Sequence, residues 1–173
     1  MKKGGLIMYQ VGEYIVKAFD GVCKVADILH PQMSGIEKDR MYYLLIPIDD
    51  PAGKIYLPLD TTDSSLRKVM DEAEARSLIG RVTEIDVLEV ENERLREQCY
   101  KDAIRSCKPE TWISLIKLIR LRKESRIVQG KKATVLDERY FKMAEGKLYS
   151  ELGFALQLTK EEVQEQLKDL WKN

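Results

Sequence analysis

The stretch MYYLLIPIDDPAGKIYLP, residues 41–58, gives the clearest local indication of structure in the chain. Residues 41–48 are rich in aromatic and branched apolar side chains, which is typical of a buried β-strand. The next five residues, DDPAG, predict a turn, because proline presets one backbone dihedral and glycine accepts positive values of φ. Residues 54–58 predict a short second strand. The stretch as a whole therefore predicts a β-hairpin.

The same short-period pattern continues toward the N-terminus. Residues 14–16 are apolar and are followed by a turn at residues 19–21, and residues 22–28 then alternate between apolar and polar side chains. Residues 30–40 contain proline, serine, glycine and aspartate, which favour a loop. Four or five short strands in a segment of this length predict a small twisted barrel, since closing a sheet removes its exposed edges.

From Met70 onward the apolar period changes from two to about 3.6 residues, which predicts helices. Residues 71–78 and 89–107 have this pattern. The second of these segments repeats apolar residues every four positions, so they are predicted to share one helix face. These residues are Leu95, Cys99, Ala103 and Cys107.

Three further helices are predicted in the rest of the chain. The first begins near Pro109, since proline is tolerated in a first helical turn. It carries a core-facing stripe formed by Trp112, Leu115, Ile116 and Ile119. Thr134 with Asp137, and Thr159 with Glu162, have the spacing of capping boxes and predict the starts of the other two helices.

These patterns predict an α+β protein of two modules, a small β-barrel at residues 8–70 followed by an all-α helical bundle at residues 71–173. The longest apolar run is far shorter than the ~20 residues of a membrane span. The N-terminus lacks the apolar stretch of roughly 7–15 residues that a secretory signal requires. The three cysteines form no C-x-x-C pair, which favours reduced thiols. We therefore expect a cytoplasmic protein without a membrane partner.

Common enzyme motifs are missing from the sequence. It contains no glycine-rich phosphate loop, no nucleophile elbow and no zinc-protease motif. The single histidine, His30, precedes a proline in the predicted loop. The acidic residues between positions 84 and 93 predict a solvent-facing surface, whereas acid–base catalysis needs a carboxylate in a dry pocket. We therefore expect no catalytic residues, no cofactor and no metal ion.

Charge is distributed unevenly along the chain. Residues 1–91 carry 11 Lys and Arg against 16 Asp and Glu, whereas residues 92–173 carry 18 against 13. Two predicted helices hold most of the basic excess, with few acidic neighbours, and a phosphate backbone attracts such a surface through counterion release. The candidate DNA-binding residues are Arg94, Arg96, Lys101, Arg105, Arg120, Arg122, Lys123 and Arg126. A solvated helix surface is the alternative interpretation.

Two segments of the β-module resemble the opening of the CarD/CdnL family of bacterial transcription regulators. Residues 9–16, YQVGEYIV, are similar to the family pattern aromatic-x-x-Gly-Asp-x-Val-Val, and residues 20–28, DGVCKVADI, are similar to Gly-Val-x-x-Val-x-x-Ile. The resemblance extends from Met8 to about Ala155. Its further segments, in the expected order, are residues 42–45, 55–58, 66–67, 100–101, 112–122 and 144–152.

This resemblance implies an N-terminal Tudor-like barrel, shared with transcription–repair coupling factors, that docks on the RNA polymerase β subunit. It also implies a helical module that contacts promoter DNA, mainly at the phosphate backbone and minor groove, and stabilises the open complex. We expect the protein to act as a monomer. Pro58 suits an edge strand, and an edge strand offers unpaired backbone groups to a partner. The predicted polymerase-binding residues are Lys54, Ile55, Tyr56, Leu57 and Pro58.

Two positions depart from the family pattern. Members often carry a tryptophan at the start of the helix that ends in the Tyr-Lys pair, and Arg96 stands there in this chain. Some members carry an arginine where this chain has Tyr56. Three alternatives remain open: a protein–protein adaptor that does not bind DNA, a polymerase-docking module that acts in repair coupling, and an enzyme that uses the acidic run.

Overall fold

The structure is a computed structural model, and it describes residues 8–61 and 65–172. The described residues form a β-sheet followed by a group of α-helices, which confirms the predicted α+β fold of two modules. The strands are β1 (Tyr14–Lys17), β2 (Gly21–Leu29), β3 (Tyr42–Pro47), β4 (Ile55–Pro58) and β5 (Leu66–Lys68). The α-helices are α1 (Glu72–Gly80), α2 (Arg96–Arg105), α3 (Pro109–Val128), α4 (Val135–Leu156) and α5 (Lys160–Leu167).

The strands form one antiparallel sheet in the order β4-β3-β2-β1-β5. Strands β3 and β4 confirm the predicted hairpin, and the predicted loop lies between β2 and β3. The register shifts between Val25 and Asp27 of β2, and such a bulge bends a strand and increases its twist. The described strands form a curled half-barrel rather than the predicted closed ring, because β4 and β5 do not pair and remain its two edges.

The two faces of the sheet are buried against different partners. A small cluster fills one face and consists of Tyr9, Ile15, Cys23, Val25, Tyr43, Leu45 and Leu57. On the opposite face, Val16 and Val22 belong to the same apolar core as the helices. The sheet and the helices therefore share a continuous core.

Helix α3 is the centre of the helical module. Its buried side chains are Trp112, Ile113, Leu115, Ile116 and Ile119, so the predicted core-facing stripe is confirmed. Trp112 is fully buried, and its indole N–H donates to the backbone oxygen of Ile104 at 3.5 Å. In the described parts of the chain, no helix combines the length and apolar character needed to cross a bilayer.

Helix α2 is shorter than predicted, because it begins at Arg96 rather than near residue 89. Residues 85–92 are not helical: the N–H of Leu88 donates to the backbone oxygen of Ser114 at 3.1 Å, which holds the chain against α3. The predicted α2 face is only partly correct: Ala103 is buried and Cys99 is half-buried, but Leu95 is 56% exposed and Cys107 lies beyond the helix. The buried side chains of α2 are those of Tyr100, Ala103 and Ile104.

Only one of the two predicted capping boxes forms completely. At Thr159 both reciprocal hydrogen bonds with Glu162 are present. At Thr134 the hydroxyl accepts from the Asp137 N–H at 3.1 Å, but the Asp137 carboxylate does not return to the cap. That carboxylate is fully buried and accepts hydrogen bonds from Tyr100 and Arg122 instead, so the box predicted at Thr134 is only half formed.

Candidate functional site

The predicted polymerase-binding strand lies at an edge of the sheet. β4 pairs with β3 on one side only, through partners that run from Leu45↔Ile55 to Tyr42↔Pro58. The other side of β4 therefore has backbone groups that no described strand pairs. Unpaired N–H and C=O groups of this kind allow a strand from another chain to extend the sheet.

The side chains of β4 divide between the two faces of the sheet. Leu57 is buried in the small cluster, with Ile55 packed against it. Tyr56 points to the opposite face because side chains alternate along a strand. It is half-buried and is registered with Leu44 on β3, which is also half-buried. Lys54, just before the strand, is exposed. The β4 edge thus combines open backbone groups with a partly apolar surface.

The opposite edge of the sheet contacts the helices. Arg67 of β5 donates two hydrogen bonds to the carboxylate of Glu151 on α4, at 2.5 and 2.6 Å, and one to the backbone oxygen of Cys107 at 2.5 Å. Its guanidinium also lies 5.5 Å from the centre of the Trp112 ring. Sequence reasoning did not single out Arg67 and Glu151 as a pair, since 84 positions separate them.

Most of the candidate DNA-binding residues have acidic partners. Lys101 pairs with Glu97, Arg105 with Asp102 and Lys123 with Glu138, at 3.4, 3.6 and 2.8 Å. The expectation that the basic residues have few acidic neighbours is therefore wrong. Packing of the helices brings in acids that lie elsewhere in the sequence, and pairs one turn apart on a helix supply the others.

Three of the remaining candidates are placed differently. The guanidinium of Arg120 lies 5.4 Å from the ring of Phe141 and 5.1 Å from that of Trp171. Arg126 donates to the backbone oxygen of Lys132 at 2.6 Å. Arg94 is exposed, and neither Arg94 nor Arg126 has an acidic partner within the described residues. These two arginines keep an uncompensated positive charge.

Arg96 of α2 and Arg122 of α3 meet around two acids. The carboxylate of Glu93 accepts hydrogen bonds from the Nη1 of both arginines, at 2.7 Å from Arg96 and 2.9 Å from Arg122. Behind them, Asp137 accepts from the Nε of Arg122 at 3.2 Å and from the hydroxyl of Tyr100 at 2.9 Å. Burial and the hydrogen bond to Asp137 raise the pKa of Tyr100 well above its ordinary value.

Two further groups of carboxylates lie in the acidic run and in a cleft beside α1. The acids of the run are exposed, as predicted; they are Glu84, Asp86, Glu89, Glu91 and Glu93. A cleft of about 640 Å³ lies between β5, α1 and the start of α3. Its two acids are Glu74, which caps α1, and Glu110, which pairs with Arg81 at 3.4 Å. Across residues 8–61 and 65–172, no cluster of His, Cys, Asp or Glu could hold a metal ion.

The described residues thus form a curled antiparallel sheet with one open edge, joined through its other edge to a helical module. Comparison with known families shows which class of domain the sheet belongs to. Residues 9–70 match the family described as the CarD-like/TRCF RID domain. Residues 9–70 therefore form a CarD-like domain of the RNA polymerase-interacting type. The match covers the whole sheet and ends immediately before α1. A search of the curated proteins finds no match.

Proposed function

We propose that this protein is a bacterial transcription regulator that docks on the β subunit of RNA polymerase through β4. Its helical module then contacts promoter DNA and modulates the stability of the open complex. The observation that supports this proposal is the arrangement of the sheet within residues 9–70, the part that matches the polymerase-interacting family. The β4 edge is open, whereas Arg67 on β5 is hydrogen-bonded to the helical module.

The excess of positive charge in the helical half supports the DNA contact. After ion pairing, Arg94 and Arg126 remain uncompensated on or beside the helices that also carry Arg96 and Arg122. A protein with so few phosphate contacts binds DNA weakly and without sequence preference, and its log affinity falls by only about 0.9 per log unit of salt for each contact. Docking on polymerase compensates for this weakness, since tethering raises the effective concentration of the second contact.

The docking part of the proposal is tested with Tyr56→Glu, which places a charge on the half-buried surface beside the β4 edge. Phe19→Glu is the matched control, because Phe19 is an exposed aromatic residue in the β1–β2 turn, two strands away from β4. We expect Tyr56→Glu to lose capture of polymerase and Phe19→Glu to retain it, with native circular dichroism in both. Equal capture by the two variants would contradict docking through β4.

The DNA part is tested by the lifetime of the open complex on one promoter. We expect wild-type protein to change this lifetime and the variant Arg94→Gln/Arg126→Gln to change it less, with the difference shrinking as salt is added. If polymerase is captured but wild type leaves the lifetime unaltered at low salt, the adaptor and repair-coupling alternatives are favoured instead.

A further inference from the structure

Glu93 occupies a position between two arginines that resembles that of a bound anion. Its two carboxylate oxygens each accept a hydrogen bond, Oε2 from Arg96 at 2.7 Å and Oε1 from Arg122 at 2.9 Å. The Glu93 side chain itself is 62% exposed, whereas those of Arg96 and Arg122 are 18% and 22% exposed. An exposed carboxylate therefore covers two largely buried guanidinium groups.

The two guanidinium groups also contact a buried acid, Asp137, on the side away from solvent. Asp137 is fully buried; its Oδ2 accepts from the Nε of Arg122 at 3.2 Å, and its Oδ1 lies 3.8 Å from the Nε of Arg96. Both arginines thus turn Nε toward Asp137 and Nη1 toward Glu93. A rigid guanidinium fork fixed in this way is suited to bind an anion with two oxygens, either a carboxylate or a phosphate.

The two acids, Asp137 and Glu93, have different roles beside the arginine pair. Asp137 faces the two arginines from the buried side, and Glu93 faces them from the exposed side. Burial alone would raise the pKa of Glu93, but the hydrogen bond from Arg96 and the charge of Arg122 lower it below its ordinary value. Glu93 is therefore ionised at neutral pH, and any anion that uses the arginine pair has to displace it.

We propose that Arg96 and Arg122 form a phosphate-binding site, which Glu93 closes in the free protein and which a phosphodiester of the DNA backbone opens by taking its place. This inference rests on the proposed DNA contact and adds a built-in competitor to it. Glu93 stands in a short 3-10 turn, Glu93–Leu95, at the end of a non-helical segment. It leaves the arginines by rotation of its side chain, without unfolding a helix.

The expected effect of Glu93→Gln is about tenfold tighter binding to a short DNA duplex, which corresponds to about 1.4 kcal/mol. The slope of log affinity against log salt becomes steeper by up to about 1, the value of one added phosphate contact. Glu91→Gln is the matched control, because Glu91 is exposed on the same segment and makes no ion pair with the described residues. It removes the same charge without freeing the arginines.

Fluorescence anisotropy at several salt concentrations measures both quantities. The double variant Glu93→Gln/Arg96→Gln should lose the gain, and it leaves Asp137 its bonds to Arg122 and Tyr100. If Glu91→Gln tightens binding as much as Glu93→Gln, the gain is a general charge effect and the site is refuted. The site is also refuted if wild type binds DNA and Glu93→Gln binds it with the same affinity.

A second measurement separates this inference from the proposed function. Inorganic phosphate is titrated into labelled protein, and the side-chain NMR signals of Arg96 and Arg122 are followed. Glu93→Gln should show saturable shifts at lower phosphate concentration than wild type and Glu91→Gln. If these shifts occur but no variant binds DNA at low salt, the anion site stands and the DNA contact is wrong. If phosphate leaves the signals of Glu93→Gln unchanged, the site itself is refuted.

Discussion

Replacing Glu151 with alanine removes the carboxylate that joins the sheet to the helices. Glu151 is fully buried on α4 and accepts three hydrogen bonds from the sheet side of the molecule. Two come from Arg67, at 2.5 and 2.6 Å, and the third from the N–H of Met70 at 3.0 Å. The substitution therefore leaves a guanidinium and a backbone N–H without their acceptor.

Arg67 cannot avoid the cost by losing its proton. Burial lowers the pKa of Arg67, but the hydrogen bonds and the charge of Glu151 outweigh this and raise it above its ordinary value. Without Glu151 the side chain is still charged, is only 25% exposed, and keeps its bond to the backbone oxygen of Cys107. Breaking a buried ion pair by removing one partner typically costs 3–5 kcal/mol, so we expect about 4 kcal/mol here. For a chain of this size that corresponds to a fall in Tm of roughly 8–16 °C.

Urea unfolding followed by tryptophan fluorescence measures the loss in the free energy of unfolding. The variants Glu151→Ala, Arg67→Ala and their combination form a double-mutant cycle, in which the combined loss should be clearly smaller than the sum. Glu72→Ala is the control, since it breaks an exposed pair with Arg76 on α1, which should cost less than about 0.5 kcal/mol. A loss below about 1 kcal/mol for Glu151→Ala, or an additive cycle, would refute the reasoning.

Three further predictions concern the helices and the thiols. Trp112→Ala should cost about 3–5 kcal/mol in a thermal or urea melt; a native Tm with a lost effect on promoters would instead place Trp112 on DNA. In α4, Gly146→Ala should gain about 0.5–1 kcal/mol, since an added Cβ meets nothing within 4 Å. Gly153→Ala should destabilise, because its Cβ would lie 2.7 Å from a backbone oxygen, and equal melts would contradict this contrast. Burial raises the pKa of the Cys107 thiol to about 11 and that of the Cys23 thiol to about 12. Alkylation of the native protein near neutral pH should therefore modify Cys99 alone, which mass spectrometry measures. Rapid labelling of all three cysteines would show this to be wrong.

The features that the sequence predicts correctly are those with a strong local pattern. The hairpin of β3 and β4 has apolar strand residues on both sides of a proline–glycine turn. The strand residues and the turn residues all favour the same hairpin. The stripe of Trp112 on α3 repeats with the helical period over two turns and is buried as expected. The edge position of β4 follows from its proline and its place after the turn.

The features that the sequence does not predict depend on distant partners. Residues 89–95 have helix-compatible composition, but the chain before them is held by a bond from Leu88 to the backbone of α3. The pair Thr134 and Asp137 has the same capping spacing as Thr159 and Glu162. Asp137 is one methylene shorter than the Glu or Gln of a capping box, and in the folded chain Arg122 and Tyr100 bind its carboxylate instead.

The sequence pattern of charge does not predict the positive surface correctly, again because the deciding partners are distant in the sequence. Counting basic residues along α2 and α3 gives a positive surface, yet Glu93 lies 29 positions from Arg122 in the sequence and 2.9 Å away in the fold. Ion pairing therefore converts a broad basic stretch into a few uncompensated arginines. The net charge of residues 92–173 is unaffected, but the places at which an anion can bind are reduced to a small number of defined positions.

The connection between the modules affects how the proposed function would select its targets. Val16 and Val22 of the sheet share a core with the helices, and Arg67 is bound to Glu151, so the β4 edge and the arginines of α2 and α3 are held at a fixed separation. A rigid connection raises the effective concentration of the second contact only where the two targets lie at the matching distance. Phosphate contacts carry no sequence information. Under the proposed function, the position of the DNA on the polymerase, rather than its base sequence, would therefore determine where the helical module binds.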